Sequence, residues 1–149
     1  MQWLIFVGVT VFCWGAYGPT LHIGQVALGT SPMRALLCVG MAYFFIGVMI
    51  PGGVLVFQGE QGDFNMKGVS WAGFAGMLGA LGALGIIYAF HNGGTPLYVM
   101  PLVFCGAPIV NVIVSMLQHP PKSAPSPLLF LGFVLAATGA YLILRFKPA

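Results

Sequence analysis

Five long runs of apolar residues, separated by short polar segments, are the feature that most constrains the fold of this 149-residue chain. Each run is close to the 20 or so residues that a helix needs to cross a bilayer. Only 5% of the residues are charged, against roughly 25% in an ordinary soluble domain, so polar side chains are too few to cover a surface in water. The runs are continuous rather than alternating, which disfavours a transmembrane barrel. We therefore predict an all-α integral membrane protein.

The five spans are predicted at about 3–28, 33–57, 69–90, 96–118 and 127–144, within one membrane domain that occupies the whole chain. Pro19 predicts a kink in the first span, and the sequence Pro-Gly-Gly beginning at Pro51 predicts an interruption of the second. Both acidic residues, Glu60 and Asp63, fall between the second and third spans, which predicts an aqueous loop there.

The third span carries glycine at every third position, namely Gly73, Gly76, Gly79, Gly82 and Gly85. Small residues in a membrane helix let a second backbone approach closely, and van der Waals contact then drives association. We expect this helix to be central and its glycines to form a packing surface. The alternative is that glycine is simply frequent in membrane helices.

The basic residues hardly specify an orientation. With five spans, Lys67 and Lys122 lie on one side of the membrane, and Arg34, Arg145 and Lys147 lie on the other. Orientation follows the excess of Lys and Arg on the cytoplasmic side, and here the excess is small. Such a balance is typical of a chain that inserts both ways and pairs as an antiparallel dimer. The alternative is a fixed orientation with the C-terminal basic residues in the cytoplasm.

Several stretches resemble one repeat of the drug/metabolite transporter superfamily, the EamA-like domain. TVFCWGAYGPTLHIGQ (10–25) is similar to that family's first span, and SPMRALL (31–37) to the start of its second. The segment ALGIIYAFHNGGTPLYVMPLVFCGAPIVNVIVSML (83–117), followed by LLFLGFVLAATGAYLIL (128–144), resembles its third to fifth spans. The resemblance covers nearly the whole chain.

This resemblance implies half of a ten-helix transporter bundle. Family members commonly carry two such repeats in opposite orientation, so a single repeat implies a homodimer or a homologous five-helix half as partner. The chain departs from the family before its fifth span, where LQHPPKSAPSP contains no acidic residue although the family often has a glutamate.

Polar and aromatic residues within the spans are the candidates for a substrate-binding cavity. Trp14 and Gln25 share one face of the first helix with Gly18, and Tyr17 lies beside them. The substrate-binding residues that we predict are Trp14, Tyr17, His22, Arg34, Tyr98 and Asn111. The alternative is that the aromatic residues pack against the glycines of the third span or lie in the interfacial belt, with His22 bonded at the interface and Arg34 reaching the headgroups.

Several classes of function have no support in the sequence. No group of His, Cys or carboxylates has the spacing of a metal site, and no triad-like arrangement or phosphate loop occurs, so we expect neither an enzyme nor a cofactor. Five Lys and Arg residues cannot form the dense basic surface that nucleic acid needs. Both acidic residues lie in the loop, so proton-coupled export of cations is also disfavoured.

The function that we predict is movement of a small neutral or zwitterionic metabolite by alternating access, as a dimer in a bacterial plasma membrane. The alternative is a non-transporting subunit that packs into a larger membrane complex through its glycine-rich helix.

Overall fold

The computed structural model describes residues 1–59, 62 and 64–147, and in this part of the chain the only regular secondary structure is helical. Six α-helical segments occur there, and a π-helical turn, Phe45–Met49, joins the second to the third. The segments are α1 (Trp3–Ala27), α2 (Pro32–Phe44), α3 (Ile50–Gln58), α4 (Met66–His91), α5 (Pro96–Gln118) and α6 (Pro127–Arg145).

The helices form five stretches that are long and apolar enough to cross a membrane, because α2, the π turn and α3 make one continuous stretch, Pro32–Gln58. The five predicted spans are thus all present as helices, with ends within about three residues of the expected positions. The expected aqueous loop is only partly covered, because Glu60 and Asp63 lie outside the described residues.

Short polar side chains begin the helices. The Asn65 side chain accepts a hydrogen bond of 2.8 Å from the Gly68 N–H at the start of α4. Ser31 does the same for the Arg34 N–H at 3.5 Å, one residue before Pro32 begins α2. Because the first N–H groups of a helix have no partner within it, these side-chain oxygens fix where each helix starts.

The turn between α1 and α2 uses two residues in the left-handed conformation, Gly29 (φ 72°) and Thr30 (φ 58°). The Thr30 N–H donates to the Gln25 carbonyl oxygen at 2.8 Å, which closes the last turn of α1. A β-branched residue rarely adopts a positive φ, so Thr30 is held there against its own preference.

The irregularity in the second span lies one turn before the expected Pro-Gly-Gly sequence. The Ile50 N–H bonds to the Phe45 carbonyl oxygen, five residues back, and the helix then continues through Pro51 to Gln58. Proline has no N–H for the carbonyl four residues earlier, here Gly47, and its ring crowds that carbonyl. The wider π turn accommodates the proline without ending the helix.

Prolines also lie inside two other helices without ending them. α1 is continuous through Pro19, and α5 is continuous through Pro101 and Pro108. Each proline withholds one backbone donor from the carbonyl four residues before it. The helices therefore contain backbone oxygens that lack their usual helical partner.

The chain forms two compact units. The split unit comprises Met1–Gly15 and the chain from Gly94 onward, and the continuous unit is Ala16–Gly93. In the split unit α5 packs on α6, and Met100 is buried. In the continuous unit α2 packs on α4. Its buried residues are Gly18, Leu21, Gln25, Ala35, Ala83, Ile86, Ile87 and Phe90. Most of the buried residues that the structure describes therefore lie in the continuous unit.

Candidate functional site

The second half of α1 turns one face toward the interior of the continuous unit. Gly18, Leu21 and Gln25 are buried there, at the spacing of three to four residues that defines one face of a helix. Tyr17 and His22 flank this face and are half-buried. We call Tyr17, His22 and Gln25 the polar ladder, because each of these side chains has a buried polar atom with no hydrogen-bond partner.

Gln25 is held by α4. It is 2% exposed, and its Nε2 donates a hydrogen bond of 3.0 Å to the main-chain oxygen of Ile87, which is itself fully buried. A carbonyl oxygen only accepts, so the amide nitrogen of Gln25 must face Ile87. The other end of the amide, Oε1, is then the buried atom without a hydrogen-bond partner.

Tyr17 and His22 contribute the other two unpaired atoms of the polar ladder, the Tyr17 hydroxyl and His22 Nδ1. The His22 ring contacts Phe90 edge-on, with ring centroids 5.2 Å apart. At 1.5 Å per residue, Tyr17 lies about 15 Å from the C-terminal end of α1, and His22 and Gln25 lie progressively closer to that end. The polar ladder therefore runs from the middle of the helix to its end.

Buried polar atoms without partners are uncommon and unfavourable. Roughly 90% or more of such atoms in proteins are hydrogen-bonded, and leaving one unpaired costs about 1–3 kcal/mol. The continuous unit has three such atoms within two and a half turns of α1, which is an unusual concentration.

Arg34 lies at the end of the continuous unit rather than among the buried residues. It is exposed, and its Nη1 donates to the Leu28 carbonyl oxygen at 3.4 Å. A positive charge beside the last carbonyls of a helix is favourable because those oxygens carry partial negative charge. Arg34 therefore stabilises the end of α1 in this structure.

His91 joins the end of α4 to the same turn. Its Nδ1 lies 3.0 Å from the Thr30 carbonyl oxygen, so Nδ1 carries the proton in this contact. The sequence offered no reason to give this histidine a role, because the two residues are 61 positions apart and the acceptor belongs to the main chain.

The remaining predicted site residues belong to the split unit. Trp14 is half-exposed and lies against Phe104, with ring centroids 6.4 Å apart. Lys147 lies over the Tyr98 ring at 5.0 Å, which places a cation against the electron-rich face of an aromatic ring. Asn111 is exposed on α5. Of the six predicted residues, the continuous unit thus contains Tyr17, His22 and Arg34, and only the first two adjoin its buried face.

Gln25 is not among the substrate-binding residues that the sequence predicts. Its place on one face with Gly18 was visible, and a glutamine inside an apolar run was the available signal. Its partner is a backbone carbonyl of a distant helix, which no side-chain pattern reveals.

The glycines of α4 have no close neighbour within their unit. Gly73, Gly76, Gly79, Gly82 and Gly85 are exposed, and no atom of the same unit lies within 4 Å of the position that a Cβ would occupy. α4 packs instead through Ala83, Ile86, Ile87 and Phe90, near its C-terminal end. The glycine surface stays a prediction that needs a partner from outside the unit.

The described residues also form one apolar groove on α2. This open groove of about 670 Å³ runs between Met33 and Phe45. No group of three or more His, Cys, Asp or Glu side chains in the described ranges is placed to hold a metal ion.

Comparison of the chain with models of protein families, with characterised proteins and with solved structures gave no match. The resemblance to the EamA-like domain therefore stays a prediction from the motifs quoted above.

Proposed function

We propose that the protein is an integral membrane transporter that moves a small neutral or zwitterionic metabolite by alternating access, with the polar ladder of α1 as part of its path. The observation that carries the proposal is the set of three buried, unpaired polar atoms on Tyr17, His22 and Gln25. Polar groups inside a membrane protein are expensive, and those that persist usually mark a path for a substrate or for water.

The position of the polar ladder supports this proposal. It begins near the middle of a helix of membrane-spanning length and descends to the end of that helix. A solute that forms hydrogen bonds in turn with Tyr17, His22 and Gln25 avoids crossing a wholly apolar interior, which lowers the barrier to passage. Pro19 lies between Tyr17 and His22 in the sequence of α1. An irregular backbone next to the bound solute is typical of transporter binding sites.

Five helices supply one half of an inverted-repeat transporter. Alternating access in such proteins arises from one repeat rocking against the other, with the site at the repeat interface. We therefore propose a second copy in the opposite orientation, or a homologous five-helix half, as the partner, and a bacterial plasma membrane as the location.

Solute uptake by liposomes tests the proposal. Vesicles containing the purified protein should take up small neutral solutes such as erythritol faster than protein-free vesicles, with a rate that saturates. The Gln25→Met variant should lower the saturable rate about tenfold, because it removes the acceptor while nearly preserving shape. The control variant Thr20→Val alters an exposed hydroxyl on the same helix and should leave the rate unchanged. Uptake equal to that of empty vesicles, over a panel of neutral and zwitterionic solutes, would contradict transport.

The open glycine surface of α4 favours a second candidate function, that of a non-transporting subunit of a larger complex. Small residues with no neighbour in their own unit are suited to receive another helix. This candidate predicts that the protein purifies from native membranes with unrelated chains in fixed ratio and that its vesicles show no saturable uptake.

A further inference from the structure

We infer that Gln25 determines the substrate class of the proposed transporter, by presenting a fixed acceptor that selects an uncharged solute with an O–H or N–H donor. This inference rests on the proposed function and narrows it from neutral or zwitterionic metabolites to neutral hydrogen-bond donors.

The contact with Ile87 fixes the orientation of the Gln25 amide. The nitrogen and oxygen of a glutamine amide look alike in shape, and only their hydrogen bonds distinguish them. Here the Ile87 carbonyl oxygen lies 3.0 Å from one end of the amide. Reversing the amide would place two acceptor oxygens against each other, so the nitrogen is fixed on Ile87 and Oε1 is fixed as the free atom.

Among the described residues, no charged side chain is buried beside Gln25. Gln25 is the only buried polar or charged residue among those the structure describes. Arg34 is exposed and engaged with the Leu28 carbonyl oxygen, so it offers no counter-charge inside the continuous unit. A charged solute placed beside Gln25 would lose its hydration without gaining an opposite charge, which is strongly unfavourable. A neutral solute avoids this penalty.

Tyr17 and His22, the other two members of the polar ladder, complement the acceptor of Gln25. An amide oxygen accepts and never donates, whereas the Tyr17 hydroxyl and the His22 ring nitrogen can each donate or accept. A hydroxyl-bearing molecule matches this set because a hydroxyl group can donate to an acceptor such as Gln25 Oε1 and can also accept from a donor. Water and small polyols share this chemistry, and water permeability distinguishes the two.

The test compares erythritol with its tetramethyl ether, which keeps the oxygens and loses every O–H donor. Thermal unfolding of the purified protein, followed by circular dichroism, should show a saturable rise in midpoint with erythritol, about 3 °C at ten times its Kd, and none with the ether. Gln25→Met should abolish the saturable rise, and Thr20→Val should retain it. If Gln25→Met does not unfold cooperatively, Tyr17→Phe and the comparison of the two solutes on the unaltered protein carry the test.

A second measurement separates water from organic solutes. If erythritol gives no saturable shift, the inference requires that vesicles with the protein pass water faster than empty vesicles, and that Gln25→Met lowers this permeability severalfold. That outcome supports the fixed acceptor and assigns water as its ligand. Absence of both effects overturns the inference, and so does an equal response to erythritol and its ether.

The failure of this inference differs from the failure of transport. Saturable uptake that is the same in Gln25→Met and in the unaltered protein keeps the transporter and overturns the role of Gln25. Saturable, Gln25-dependent binding of erythritol without uptake of any solute keeps the fixed acceptor and overturns transport.

Discussion

At the scale of single residues, the backbone conformation of the α1–α2 turn restricts which residue can occupy position 29. Gly29 has φ 72°, and a Cβ added there would meet only Arg34 Nη1, at 3.9 Å. There is room for a methyl group, yet an L-residue in this conformation is strained by roughly 1–2 kcal/mol. The need for glycine at this position is therefore conformational rather than steric.

We expect Gly29→Ala to lower the free energy of unfolding by about 1 kcal/mol. Gly24→Ala is the matched control, because Gly24 lies inside α1 with no atom within 4 Å of an added Cβ. Alanine is favoured over glycine in a helix, so this control should raise the free energy of unfolding by about 0.5–1 kcal/mol. Denaturant titration followed by circular dichroism measures both changes, and equal effects of the same sign would contradict the account of the turn.

At the scale of helices, the long apolar runs in the sequence predict well which helices form and where they end. All five predicted spans are present, and the largest displacement of an end is the start of α4, which lies at Met66 rather than Val69. Asn65 explains that shift, because its side chain caps the helix before the apolar run begins. The π turn before Pro51 was not predictable in the same way, since hydrophobicity does not distinguish a helix that widens from one that stops.

The cap of α4 gives a quantitative test at this scale. Asn65→Ala should lower the free energy of unfolding by about 1 kcal/mol, because it leaves the Gly68 N–H without its 2.8 Å partner. Thr95 occupies the equivalent position of α5 but makes no capping bond with its side chain, so Thr95→Ala should change stability by a few tenths of a kcal/mol at most. A comparable loss in both variants would show that side-chain capping does not fix the start of α4.

The glycine surface belongs to this scale as well. Residues three apart on an α-helix are displaced by 60° around it, so the five glycines follow a path inclined to the helix axis rather than one straight face. A helix received along this path should therefore cross α4 at an angle.

We expect Gly79→Leu to leave the helical content of the protein unchanged, because no atom of its unit lies near an added Cβ. Assembly should weaken severalfold, because a leucine would keep a second backbone from close approach. Chemical cross-linking in liposomes measures the assembled fraction. The control Gly8→Leu substitutes an exposed glycine of α1 that also has open space around it. Equal assembly of Gly79→Leu, Gly8→Leu and the unaltered protein would contradict a packing role for the glycines of α4.

At the scale of the whole molecule, the sequence indicates a class of architecture more firmly than a site. Few charges and long apolar runs determine that helices of membrane-spanning length form. The packing of α1 against α4 includes pairs that are far apart in sequence and involve main-chain atoms, such as Gln25 with Ile87 and His91 with Thr30. Side-chain patterns contain no record of such pairs, so the contact of Gln25 with the Ile87 main chain could not be predicted from the sequence.

Orientation gives a test at the same scale. If the protein functions as an antiparallel pair, two lysines added as Gly62→Lys and Phe64→Lys should fix that loop in the cytoplasm by the positive-inside rule. Reporters fused after the C-terminus should change from signals on both sides to a signal on one side, and solute uptake should fall severalfold. Serine at the same two positions is the control. Unchanged uptake with a single orientation would exclude the antiparallel pair.

The proposed transport path is tested most directly by asking whether water reaches the polar ladder, Tyr17, His22 and Gln25, when the protein is in a membrane. In a chain whose three cysteines, Cys13, Cys38 and Cys105, are replaced by alanine, a cysteine is introduced at Tyr17 or, as a control, at Thr20, an exposed residue of the same helix. The account predicts that Tyr17→Cys reacts with a membrane-impermeant thiol reagent in liposomes, that erythritol slows the reaction, and that Thr20→Cys is unreactive. A Tyr17→Cys thiol that reacts no faster than the Thr20→Cys thiol would contradict the proposed path, because water would then not reach the side chain at position 17.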